Sequence, residues 1–262
     1  MAGKDEGIKP IVGVEIGFAL DANNVANLKS VGSITLLAMS TEWYHNLLQL
    51  VTYASQTGIE FRPKVDMKSL TEYKNWILAF CWGVESRISK MILNWEPLSK
   101  IQEIIGMLKT TLWTENFYLE IIAQDEKTHP NIAKINRTLL ELSETTQTPC
   151  IISNIYAYPL PKDKTNQELA MAIKDNLKLF DPNHRVPTTE NHLMTEEEIR
   201  SIALKNGYSP HQVDEWIQNT ALIADRSDFK IEMGTSLFPK YDGEEDLEIM
   251  YQNWKDRMIL EE

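Results

Sequence analysis

The chain has 262 residues, 43% of them apolar, including 7 tryptophans; that is enough to build a sizeable core and excludes a wholly disordered polypeptide. A net charge of −12 and a pI near 5.0 exclude a strongly basic nucleic-acid binder, because attraction to phosphate needs a basic surface. With 2 cysteines, 5 histidines and neither a Cys-x-x-Cys nor a His-x-His pair, no structural zinc site is predicted; the polar N-terminus and short apolar runs predict no leader or membrane helix, so the sequence reads as soluble and cytoplasmic.

Ile11–Ala19 is β-rich and almost continuously apolar, the pattern of a strand buried on both faces. Ile34–Met39 reads the same way. Thr41–Ala54 carries Trp43, Leu47, Leu48, Leu50 and Val51 in one broad stripe, which predicts a helix with Thr41 as its cap. Trp76–Cys81 is the next strand. Glu85–Leu93 and Leu98–Leu112 follow with helical spacing, the latter through Ile101, Ile104, Ile105, Leu108 and Leu112. Phe117–Ala123 and Cys150–Ser153 are strands on either side of a helix over Asn131–Thr145. This alternation predicts an α/β fold with mostly parallel strands and right-handed crossovers. An open doubly wound sheet and a barrel both fit it.

Beyond Asn154 the pattern changes. A Pro- and Lys-rich loop spans residues 158–165, a helix is predicted over Asn166–Leu179, and an irregular stretch runs from Asp181 to Leu193. Thr195 with Glu198 forms a capping-box signature, and Gly207 stops the helix that it opens. Ser209-Pro210 opens another helix. From Asp246 to Ile259, Leu247, Met250, Tyr251, Trp254 and Met258 lie on one face of an amphipathic helix.

Several stretches carry a resemblance, in order along nearly the whole chain. They are Gly7–Glu15 (GIKPIVGVE), Leu36–Leu48 (LLAMSTEWYHNLL), Gly58–Asp66 (GIEFRPKVD), Asn116–Glu120 (NFYLE), Asn219–Ala224 (NTALIA) and Glu232–Pro239 (EMGTSLFP). Together they resemble the PHP (polymerase and histidinol phosphatase) domain of bacterial DNA polymerase III α subunits. The resemblance implies an incomplete, distorted (β/α) barrel of PHP type over residues 1–240. Residues 241–262 would then be a helical extension, the start of a connection to a polymerase palm.

The family barrel holds a zinc or manganese cluster at one mouth, which in some members supports a 3′–5′ exonuclease. Such chemistry needs His and carboxylate ligands converging on two or three cations. Carried over by motif, Glu15 matches the family's glutamate and Cys81 its cysteine or histidine. The family's histidine falls on Ser33, and its Asp and His fall on Ile155 and Ala157. The His-x-His segment would precede the first residue here.

The resemblance therefore implies a degenerate site with no metal cofactor, only Glu15 and Cys81 remaining at ligand positions, and a structural or docking role in DNA replication. The parent family is a DNA-directed DNA polymerase, a nucleotidyltransferase, whose palm carboxylates this chain lacks. Expected partners are the polymerase body, met by Leu247, Met250, Trp254 and Met258, or other replisome proteins, with DNA contacted only indirectly. An open barrel edge could also promote self-association. The alternative is a residual phosphoesterase or exonuclease using Glu15, Cys81 and recruited groups such as His45 or Asp66. Asp125-Glu126 ahead of His129, His184-Arg185, His192 and His211 are read as solvated turns and helix starts.

Overall fold

The structure, a computed structural model, describes residues 6–22, 31–57, 63–73, 77–81, 83–229, 251–252 and 254–255. The chain divides into a unit Met1–Lys230 and a unit Ile231–Glu262.

Six strands of the first unit form one sheet: β1 (Gly13–Phe18), β2 (Gly32–Ala38), β3 (Lys64–Val65), β4 (Ile77–Cys81), β5 (Phe117–Ile122) and β6 (Cys150–Ser153), in the order β3-β1-β2-β4-β5-β6. The β1–β2 and β2–β4 pairs are antiparallel and the other three parallel, so every strand but β2 runs the same way. Among the described residues the sheet does not close, and β3 and β6 are its edges. The five strand runs read from sequence are all present. Only β3 was not foreseen, because two residues are too short to show a period.

The helices are α1 (Thr41–Thr57), α2 (Met67–Glu72), α3 (Arg87–Leu93), α4 (Leu98–Leu112), α5 (Pro130–Thr146), α6 (Lys164–Lys174), α7 (Glu196–Lys205) and α8 (Pro210–Arg226). α4 buries all five residues of its predicted stripe, each contributing about 1.5–3 kcal/mol on full burial. α5 packs on β5 and α8 on β6. All six residues of β5 are buried, which is why its sequence is apolar without alternation.

Local differences from the sequence reading have local causes. Thr41 lies inside α1, and the preceding Ser40 Oγ accepts from the Trp43 amide at 3.4 Å. α3 starts at Arg87 because Ser86 Oγ caps Ser89 N–H at 3.1 Å. α6 ends at Lys174, short of the expected Leu179. Asn176 takes a left-handed conformation (φ 56°), and Leu177 N–H turns back to Ala172 C=O at 2.9 Å, a C-terminal turn that asparagine tolerates. The expected capping box at Thr195 and Glu198 and the Ser209 cap are present. Gly32 is required by close approach: a Cβ there would lie 2.2 Å from the Arg87 backbone.

The resembling motifs now have physical roles. Asp66 caps α2, accepting from Ser69 N–H at 2.8 Å, and its second oxygen accepts from Ala22 N–H at 3.1 Å. Burial alone would raise its carboxyl. The Ser69 and Ala22 amides outweigh that and hold it below the usual range. Lys9 Nζ donates to the Ala224 and Asp225 carbonyls at 2.9 and 3.0 Å, clasping the C-terminus of α8, where a cation is favoured. Asn219 Nδ2 donates to Cys150 C=O at 2.8 Å. Thr220 Oγ accepts from Ile152 N–H at 3.3 Å, and its one hydroxyl hydrogen is shared between Ile152 C=O at 3.1 Å and Trp216 C=O at 2.9 Å.

These last bonds bear on the expected open edge. The outward backbone groups of β6 that would template another strand are instead engaged by α8, so edge pairing is blocked at Cys150 and Ile152. A Thr220→Val chain keeps the side-chain shape and frees both Ile152 backbone groups. It is expected to lose about 1–3 kcal/mol in urea unfolding, the cost of buried groups left unpaired. It should also elute earlier than wild type in size-exclusion chromatography with light scattering.

In the second unit, Tyr251, Gln252, Trp254 and Lys255 are helical, with the Tyr251 and Trp254 rings stacked 6.0 Å apart and both side chains exposed. Leu247, Met250 and Met258 lie outside the described residues.

Candidate functional site

Strand register decides which side chains can meet. Glu15 pairs with Thr35, Thr35 with Phe80, Phe80 with Tyr118, and Glu120 with Ile151. With the alternation of side chains along each strand, Glu15, Ser33, Thr35, Phe80, Tyr118, Glu120 and Ser153 all share one face of the sheet. Cys81 follows Phe80 and so lies on the opposite face, in register with Leu119 and Cys150. The two expected ligand positions, Glu15 and Cys81, are thus on opposite sides of the sheet.

The centre of the shared face is a residue that the sequence reading passed over. Glu120 is 2% exposed. Its Oε2 accepts from the Gly83 amide at 2.6 Å, and its Oε1 is bonded by the Ser153 hydroxyl. Burial pushes the Glu120 carboxyl up to about 8, against the lowering effect of those two bonds, and the Glu15 charge pushes it further the same way. The Glu120 charge in turn raises the Cys81 thiol and the Tyr156 phenol, in both cases behind burial as the main cause. Burial is the main reason that Glu120 favours its neutral acid form near neutral pH. The one sequence signal was a glutamate inside a fully apolar strand, FYLEII.

The replaced positions are close by. Ser33 is 1% exposed, its N–H donates to Glu85 C=O at 2.9 Å, and its Oγ has no partner among the described residues. Ile155 Cδ1 lies 3.6 Å from where a Cβ on Gly83 would stand, so the side chain covers the glycine whose amide holds Glu120. Ala157 is exposed and donates its N–H to Asn191 C=O at 2.8 Å. Among the described residues no three His, Cys, Asp or Glu side chains converge as a metal site. Of the groups considered for recruitment, Asp66 is committed to capping α2 and His45 is exposed on α1. Both cysteines are buried and free, and burial holds the Cys150 thiol at about 11.

Comparison with known proteins agrees with this architecture. Residues 1–124 match the family model described as the PHP domain. The chain is 24% identical over 238 residues to the DNA polymerase III subunit alpha of Haemophilus influenzae, covering 90% of this chain and 19% of that protein. It is 26% identical over 244 residues to the subunit of Borreliella burgdorferi, covering 91% and 20%. It is 24% identical over 245 residues to that of Escherichia coli K12, covering 92% and 20%. The chain spans about a fifth of the length of the curated relatives it matches. The PHP match ends at Gln124, just past β5; the similarity to the polymerase subunits takes in β6 and helices beyond it as well.

Glu120 makes the stability of this fold depend on pH. Between its unfolded value near 4.5 and its folded value near 8, the folded chain keeps a proton that the unfolded chain has released. Raising the pH through that window therefore favours unfolding. Glu120→Gln keeps an acceptor for Gly83 and a group to bond Ser153 but cannot ionise. Relative to wild type it should gain stability as pH rises from 4.5 to 8, by roughly 4 kcal/mol at most, measured by urea unfolding at several pH values.

Proposed function

We propose that this chain is a non-catalytic PHP module of a bacterial replicative polymerase, acting as a structural or docking element in DNA replication and working in the cytoplasm. The observation that carries the reading is the mouth of the sheet. Where the family places an aspartate and a histidine, this chain has Ile155 packed over Gly83 and Ala157 turned to the surface. A cation there would meet hydrocarbon at two positions where the family has ligands, an arrangement that disfavours a buried charge. The separation of Glu15 and Cys81 onto opposite faces supports the same reading.

The partners under this reading are protein. No helix among the described residues is long and apolar enough to cross a membrane. The polymerase body is the proposed partner for the tail stripe Leu247, Met250, Trp254 and Met258. Of this stripe the structure describes Trp254, which is 56% exposed.

The deciding experiment is elemental analysis of the purified chain together with hydrolysis of a 3′-labelled DNA primer in manganese or zinc. The expected outcome is no stoichiometric metal and no hydrolysis, with Glu15→Ala indistinguishable from wild type. Two bound metals and an activity that disappears in Glu15→Ala would establish the rewired phosphoesterase instead. Trp254→Ala should weaken capture of a polymerase body that lacks its own PHP region by at least about 10-fold, as loss of a central aromatic anchor does.

A further inference from the structure

α6 is held firmly at its start and along one side, and is left bare along another. Lys164 pairs with Glu190 at 2.5 Å, and the Glu190 carbonyl accepts from Gln124 Nε2 at 2.6 Å and from Asn154 Nδ2 at 2.7 Å. Glu168 and Asp175 stand two turns apart and so share a side of the helix. The chain returns along that side: His184 Nε2 faces Glu168 Oε1 at 2.7 Å, and Arg185 Nε donates to Asp175 Oδ2 at 2.5 Å. Leu169 and Ile173, one turn apart, point another way and are exposed, Ile173 by 68%. Within α6 only Ala172 is buried. Past the left-handed turn at Asn176, Leu179 and Phe180 are exposed as well, Phe180 by 82%.

Charge is sorted in the same way. The carboxylates of this region are used inside it, Glu168 and Asp175 as above, Asp163 by the Leu160 amide at 3.2 Å and Asp181 by the Asn183 amide at 2.9 Å. The exposed lysines Lys162, Lys174 and Lys178 have no carboxylate partner among the described residues. Lys178 Nζ lies 5.5 Å from the centre of the Phe180 ring. The result is an aliphatic surface with a cationic rim on a chain whose net charge is −12.

Exposed apolar surface rimmed by polar groups marks an interaction site, and the rim selects the occupant. A long nucleic acid or an anionic lipid surface meets the whole acidic body and is repelled by it. A single phenyl ring also gives bases little to stack on. A short helix covers the patch alone: its apolar stripe lies on Leu169, Ile173 and Phe180, and carboxylates beside that stripe reach the lysines.

We propose that the bare side of α6 and the turn after it dock an acidic amphipathic helix of a partner protein. This surface does not depend on the reading given for the sheet mouth or for the tail stripe.

The test uses the full chain and three fluorescein-labelled peptides of one pattern, LEELLEALEELLEA, LQQLLQALQQLLQA and LKKLLKALKKLLKA, followed by anisotropy. The glutamate peptide is expected to bind saturably, at least about 10-fold more tightly than the lysine peptide and less tightly as salt rises. Phe180→Ala and Ile173→Ser should each weaken it by about 5-fold or more, as loss of an apolar anchor does. Lys174→Glu with Lys178→Glu should weaken it about 10-fold and turn the preference toward the lysine peptide. Thermal melts of these variants should match wild type, because all four side chains are exposed. No binding of the glutamate peptide, equal binding of the lysine peptide, or affinity unchanged in the variants overturns the proposal. So does displacement of the glutamate peptide by oligo-dT or by phosphatidylglycerol vesicles, which assigns the patch to phosphate. Self-association of the chain that Phe180→Ala abolishes assigns it to a second copy and overturns the proposal too.

Discussion

An open sheet has to finish its edges, and here much of the fold follows from how one of them is finished. β6 has the apolar composition of an interior strand, yet among the described residues no further strand pairs with it. Asn219 and Thr220 supply from a helix the hydrogen bonds that another strand would have supplied. Because those side chains are separated by less than one helical turn, α8 must lie along β6 at a fixed height. Lys9 then holds the far end of that helix. The placement of α7, the loop before it and the Gln124–Asn154–Glu190 network is built outward from there. Charge has little part in this arrangement; it rests on satisfying backbone groups that burial leaves no water to satisfy.

Under the proposed function, the mouth of the sheet is a site that has lost its chemistry and kept its shape. In the proposed reading, the proton on Glu120 takes over the task of neutralising acidic groups that a cation would otherwise perform. The Gly83 loop, β5 and the end of β6 remain joined through one carboxyl.

The strands were legible in the sequence because buried parallel strands are uniformly apolar, and the long helices because their stripes are regular. The ends were less so. Ser40 in place of Thr41, and Asn176 ending α6, depend on which of several neighbouring polar residues reaches a free amide or tolerates a left-handed turn, and composition cannot rank them. At the site, the motif positions Glu15, Ser33, Cys81, Ile155 and Ala157 could be read off by resemblance. Face could not be: that Glu15 and Cys81 are separated by the sheet depends on register across β1, β2 and β4. Glu120 was hidden for a related reason. Its importance comes from the amide and hydroxyl that converge on it from distant parts of the chain, and nothing in FYLEII announces them. His129, read as a helix start, stands at the N-cap of α5, whereas His192 lies three residues ahead of the Thr195 cap and is buried against Glu198, a tertiary fact.

The clasp from Lys9 and the bonds from Asn219 and Thr220 also set an order in time. A chain emerging from a ribosome makes its first strand early, but the groups that tie down the segment before that strand and cover β6 sit some two hundred residues later in α8. Until α8 has been synthesised, the nascent sheet carries an uncovered rim and a loose leading end. The molecule therefore acquires its finished topology in one late step, and until then it depends on staying apart from its neighbours on the same message.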